Sequence, residues 1–182
     1  MTGDWNIDAD LLEAWRAGDT QAGAALYDRH ADAVARLFAN KIAIGTDDLV
    51  QQTFMLLVES RDRIREGLSV RAFVLGIARN VLRDHVRKLA RGRVVDPEVD
   101  AMADLAPGPT TMIGHNREQR LLLAGLRRLP LEHQIGLELY YWEEMDAREI
   151  AEVMGISHSA MRSRLARARA LLSEAMAQLD TH

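Results

Sequence analysis

The chain contains no cysteine, which removes disulfide frameworks, thiol nucleophiles and thiolate metal sites from consideration. Aromatic residues make up only 5%, and Val, Ile and Thr never gather into alternating runs, so nothing in the pattern asks for a β-sheet. No apolar run approaches the roughly 20 residues that a membrane-spanning helix needs. The first ten residues are acidic and lack the apolar stretch of a signal peptide, which makes a cytoplasmic location the expectation. A phosphate-binding glycine loop and a serine elbow are also missing, and the histidines at 30, 85, 115, 133, 158 and 182 form no pair at ligand spacing on one predicted face. Catalysis, metal and cofactor are therefore not expected.

What is present favours helix. Ala, Leu, Arg and Glu dominate a chain of 182 residues that is 48% hydrophobic and 27% charged, enough for one core or two small ones. The formal net charge of -4 hides a strong segregation. From Met1 to His30 six acids face only Arg16 and Arg29, and from Val95 to Met112 there are four acids and no base. Between Arg79 and Arg93 six bases face Asp84 alone, and between Ser157 and Leu172 lie four arginines with no acid. Two basic islands on an acidic chain point to two contacts with a polyanion.

Three of the four prolines, two glycines and the acidic run fall between Asp96 and His115, where helical periodicity is lost. This reads as a flexible acidic linker over 93–115, separating a helical domain at 1–92 from another at 116–182. In the first, helices are expected over about Asp8 to Ala17, Gln21 to Asn40 and Asp47 to Ser60. Thr46 offers a capping hydroxyl ahead of Asp47 and Asp48. After a break at Gly67 and Ser69, Val74, Ile77, Ala78, Val81, Leu82 and His85 mark one buried face of a long helix, with Arg79, Arg83 and Arg87 on another.

In the second domain a helix from Arg117 stops before Pro130, and Leu131, Ile135, Leu139 and Trp142 mark the next. The stretch Ala147 to Leu172 then carries a short helix, Gly155 as a turn residue, Ser157 as a cap, and a helix bearing Arg162, Arg164, Arg167 and Arg169. With Ala151 at the crossing and Met161 pinning the pair, this is a helix-turn-helix, whose second helix can enter a major groove. The competing reading is a helical hairpin with a solvated basic face, which usually carries acidic partners that this segment lacks.

These motifs, in this order, resemble the sigma-70 superfamily over about 150 of the 182 residues. DDLVQQTFMLLV (Asp47 to Val58) and SVRAFVLGIARNVLRDHVRK (Ser69 to Lys88) resemble region 2. LRRLP (Leu126 to Pro130), EIAEVMGIS and SRLARARALL resemble region 4. With only the linker between them, the arrangement is that of the extracytoplasmic-function group. The resemblance implies an all-α protein of two small domains that binds core RNA polymerase, through the beta-prime clamp and the beta flap, and reads promoter DNA.

It also implies roles residue by residue. Asp47, Asp48, Leu49, Gln51, Gln52 and Phe54 are candidate polymerase contacts, although Leu49 and Phe54 fit core packing as well. Ile64, Arg65 and Ser69 lie in the loop that captures a flipped minus-10 base, and Arg71, Arg79, Asn80, Arg83 and Arg87 hold strand phosphates. Ile64 and Phe73 stand where the family often has aromatic residues, so base stacking is thinner, and Phe73 fits a core position. Ser157, His158, Ser159, Arg162, Ser163, Arg164 and Arg167 are the candidate minus-35 contacts. Gly45 and Gln52 replace family acids, and phosphorylation of Thr46 or Thr53 by a Ser/Thr kinase would return charge there. An anti-sigma factor is a further expected partner. The rival readings are a free-standing DNA-binding regulator and a protein-interaction module.

Overall fold

The computed structural model describes residues 2–65, 67–90, 92, 94–102 and 116–180, and among them every extended element is helical. The helices are α1 (Thr2–Arg16), α2 (Thr20–Ala39), α3 (Thr46–Ser60), α4 (Val70–Leu89), α5 (Arg117–Arg127), α6 (Leu131–Tyr141), α7 (Ala147–Met154) and α8 (His158–Asp180). None of them is long and apolar enough to cross a membrane.

The ends of these helices follow from side-chain chemistry. Asp19 caps α2, accepting from the amides of Gln21 at 2.9 Å and Ala22 at 3.3 Å. Gly23 lets α1 and α2 approach, because a Cβ there would stand 2.6 Å from Trp15 Nε1. Ser69 caps α4 through the Ala72 amide at 3.1 Å. The start of α3 departs from expectation. Gly45, at φ +89°, precedes the helix, Thr46 is its first residue, and no side chain caps that end. Glycine's freedom at positive φ sets the turn, so the Thr46 hydroxyl is not the capping group.

α4 is the central helix. Val74, Leu75, Ala78, Val81, Leu82 and Val86 are buried, packing against α2 and α3. Its far side rests on α7, so the core of the first four helices runs without a break into that of the last four. There, Leu131, Ile135, Leu139, Ile150, Met161 and Leu165 are almost wholly buried.

The sequence places a linker at 93–115, yet 94–102 is docked rather than free. Met102 is fully buried, its amide donates to Leu129 O at 3.3 Å, and Glu132 N donates to Pro97 O at 3.1 Å. Met102 supplies an apolar anchor that a charge-and-proline reading of this stretch overlooks. The rest of the linker, 103–115, lies outside the described residues.

Candidate nucleic-acid interface

The helix-turn-helix is built from local chemistry. Asp146 accepts from the amides of Arg148 (2.7 Å) and Glu149 (2.9 Å), while the Glu149 carboxylate accepts from the Asp146 amide (3.0 Å), forming a capping box at the start of α7. Gly155, at φ +66°, ends that helix in the left-handed conformation, and the Ile156 amide reaches back to Ala151 O at 3.1 Å. Ser157 then caps α8 by accepting from the Ala160 amide at 3.2 Å. Ala151 is 4% exposed and Met161 is fully buried, the small crossing residue and the apolar pin that the motif needs.

The exposed side of α8 begins with His158, Ser159, Arg162 and Ser163, followed by Arg167 one turn on. Neither Arg162 nor Arg167 has a carboxylate within ion-pair distance among the described residues. Ser159 Oγ lies 3.2 Å from Ser157 Oγ. The other two arginines are committed. Arg164 turns inward, with 15% side-chain exposure, to pair with Glu98 at 2.9 Å and approach Glu132 at 3.8 Å. Arg169 donates to Tyr141 Oη at 3.0 Å and lies over the Tyr140 ring at 4.9 Å. Arg164 therefore corrects the expectation of a groove contact in this arrangement: its counter-charge comes from distant segments.

On α3 the outer face carries Asp47, Asp48, Gln51 and Gln52, all exposed. Leu49 (5% exposed) and Phe54 (8%) belong to the core, so the packing alternative holds for both. Thr53 is also a correction: it is fully buried and its hydroxyl donates to Leu49 O at 2.8 Å, out of a kinase's reach. Thr46 is half-buried. Met55 and Val58, outside the expected set, are 58% and 52% exposed and stand beside Tyr27 and Gln51 on one shallow groove. Their spacing, off the buried Leu49–Val50–Thr53–Phe54–Leu57 stripe, is what leaves them exposed.

The arginine face of α4 shows the largest departure. Ile64 is 2% exposed and Ser69 is buried as a cap, because both close the α3–α4 turn and leave little side chain for a base. Arg65 and Asn80 are exposed, and Arg87 is exposed in a pair with Asp84 at 2.8 Å. Arg71, Arg79 and Arg83 instead meet carboxylates of the second half of the chain, Glu132 on α6 and Glu143 in the turn after it. Arg79 donates to Glu132 at 2.8 Å, Arg83 lies 3.5 Å from the same carboxylate, and Arg71 donates to Glu143 at 3.0 Å. Arg36 joins Glu143 through two bonds, at 2.7 and 3.0 Å. Burial pushes the Glu143 carboxyl up, but the bonds from Arg36 and Arg71 outweigh it and hold the group below its ordinary range.

Residues 26–92 match the family Sigma-70 region 2, and residues 119–172 match Sigma-70, region 4. The chain is 29% identical over 171 residues to the RNA polymerase sigma factor CarQ of Myxococcus xanthus, covering 93% of this chain and 97% of that protein. It is 30% identical over 127 residues to the ECF RNA polymerase sigma factor SigM of Bacillus subtilis, covering 68% and 74%. A match to the probable RNA polymerase sigma factor RfaY of Xanthomonas campestris, 28% identical, covers 82% of this chain but 38% of that longer protein. Among solved structures, CnrH in complex with the cytosolic domain of CnrY superimposes with a TM-score of 0.65 at 28% identity, covering 98% of this chain and 97% of that one.

Proposed function

Because this chain belongs to the extracytoplasmic-function group of the sigma-70 family, we propose that it is a non-catalytic initiation subunit of RNA polymerase that directs transcription from specific promoters. The observation that carries this reading is the presence of both promoter-reading units, in order, in one chain: the α1–α4 bundle and the helix-turn-helix of α7 and α8. The work is positional. α8 enters the minus-35 major groove with Ser159, Arg162 and Ser163 near base edges, and Arg167 meets phosphate. The α4 arginines, with Arg65 and Asn80, hold the unpaired minus-10 strand and bias the duplex toward opening. A cytoplasmic location belongs to the same reading, as does restraint by an anti-sigma factor; CnrH, the similar solved structure, is in complex with a protein partner, the cytosolic domain of CnrY.

The outer face of α3 is the proposed polymerase contact. Asp48 and Gln51 are exposed there beside Met55 and Val58, an apolar patch with a charged edge. Replacing Asp48 and Gln51 together with Lys should weaken binding of the full chain to core polymerase at least tenfold, a loss of about 1.4 kcal/mol or more. Helicity should stay unchanged, because both side chains are in solvent. Undiminished binding by the folded double variant, measured by fluorescence anisotropy, would remove α3 from the interface.

A further inference from the structure

We infer that Arg16 of α1 is a positioning residue for promoter selection: its guanidinium clamps the backbone of the loop between α3 and α4 and so sets how that loop meets a minus-10 base. The inference rests on the reading above, in which Arg65 on this loop meets the unpaired minus-10 strand.

Arg16 is one of two bases facing six acids between Met1 and His30, and it is half-buried. Its Nε and Nη2 both donate to Arg61 O, at 3.2 and 2.7 Å, and Nη2 also donates to Ile64 O. Those carbonyls belong to the short 3-10 turn Arg61–Arg63 and to the residue that ends it, 45 and 48 residues along the chain. The preceding residue, Trp15, holds the same turn by a different contact: the Arg61 guanidinium lies over its ring, 5.2 Å from the centroid. Two consecutive residues at the end of α1 thus hold Arg61 by its backbone and by its side chain.

The far end of the loop is fixed independently, by the Ser69 cap of α4. Between the two anchors the chain turns outward. Arg65, Gly67 and Leu68 are exposed, Gly67 adopts φ +80°, and the Leu68 amide donates to Arg65 O at 3.2 Å. With Ile64 and Ser69 buried, Arg65 and Leu68 are the side chains that the described part of the loop can offer a base. The carbonyl of Ile64 belongs to the peptide group that carries Arg65, so the Arg16 bond fixes the plane from which the Arg65 side chain departs. A loop held this way meets its ligand without first losing backbone freedom, and it discriminates between bases only while the groups facing them keep a fixed place. A guanidinium suits the task because its planar fork spans two carbonyls, whereas an ammonium is a point donor on a flexible stem. The same bonds satisfy carbonyls at a helix end, so a purely structural role would cost stability and leave base preference unchanged.

The test uses holoenzyme assembled from the full chain and core polymerase. Its probes are fork-junction promoters with a duplex minus-35 element and a single-stranded minus-10 strand, every minus-10 position being varied through the four bases. Arg16→Ala should lower the preference for the best base over the worst, at the captured position, by about fivefold or more, the lower end of what one base contact contributes. Arg16→Lys, which keeps the charge and serves if Arg16→Ala folds poorly, should lower it by less. Affinity for core polymerase and for the minus-35 duplex should stay within about twofold of wild type, as expected of distant sites. The chain has no cysteine, so a nitroxide at Leu68→Cys reports on the loop alone: Arg16→Ala should mobilise it and leave a label at Asp28→Cys on α2 unmoved. An unchanged base preference, an equal loss on all four bases, or an unmoved Leu68 label in a folded variant overturns the inference. A wild-type holoenzyme without base preference at any minus-10 position overturns instead the reading on which it rests.

Discussion

Lys41→Met should destabilise the closed chain by about 3–5 kcal/mol, the cost of leaving a buried carboxylate without its counter-ion. Lys41, in the turn just after α2, has no exposure, and its ammonium pairs with Glu138 of α6 while also donating to Leu37 O at 2.9 Å. Burial pushes the Lys41 ammonium below its ordinary range, with Glu138 opposing that shift. Glu138 would keep the neutral donors Gln134 Nε2 at 2.8 Å and Asn40 Nδ2 at 3.4 Å, with the Arg127 guanidinium as a more distant positive charge. Replacing both partners, Lys41→Met with Glu138→Met, should recover most of the loss, because well-packed apolar groups replace a buried pair at little cost. Chemical denaturation of the single and double variants provides the comparison. Equal midpoints for the two would show that the ions are not coupled.

Arg162→Ala should cost about 1–3 kcal/mol on the cognate minus-35 sequence and little on a scrambled one, the behaviour of a base contact. Arg162 is exposed within the first two turns of α8, where the capped N-terminus of the helix brings side chains nearest the groove floor. Arg167→Ala, a turn further on, should weaken both sequences about equally and lower the slope of the salt dependence by about 1, as expected for one lost phosphate contact. Holoenzyme binding to promoters with varied minus-35 elements separates the two cases. An equal loss on cognate and scrambled DNA would make Arg162 a backbone anchor.

The local parts of this architecture were legible in the sequence because their causes are local. The turn at Gly155, the cap at Ser157 and the buried pin at Met161 all follow from residues within one or two helical turns of each other. The pairing of Arg79, Arg83 and Arg164 was not legible, for a physical reason: 79–93 holds Asp84 alone and 157–172 holds no acid, while the carboxylates that meet these arginines lie far along the chain. Glu132 is 53 residues from Arg79, and Glu98 is 66 residues from Arg164. The burial of Leu49 and Phe54 was available from helical spacing, and resemblance alone was the reason to count them as contacts. The docking of 94–102 depends on Met102 fitting a core formed by residues that come later, which composition does not reveal.

Run-off transcription with purified core RNA polymerase, on the promoter of the chain's own operon, tests the central claim most directly. The account predicts a discrete transcript that requires the chain and weakens sharply when Arg162 is replaced by Ala. Salt-dependent binding to duplex DNA with neither polymerase binding nor a transcript would contradict it and make the protein a free-standing regulator.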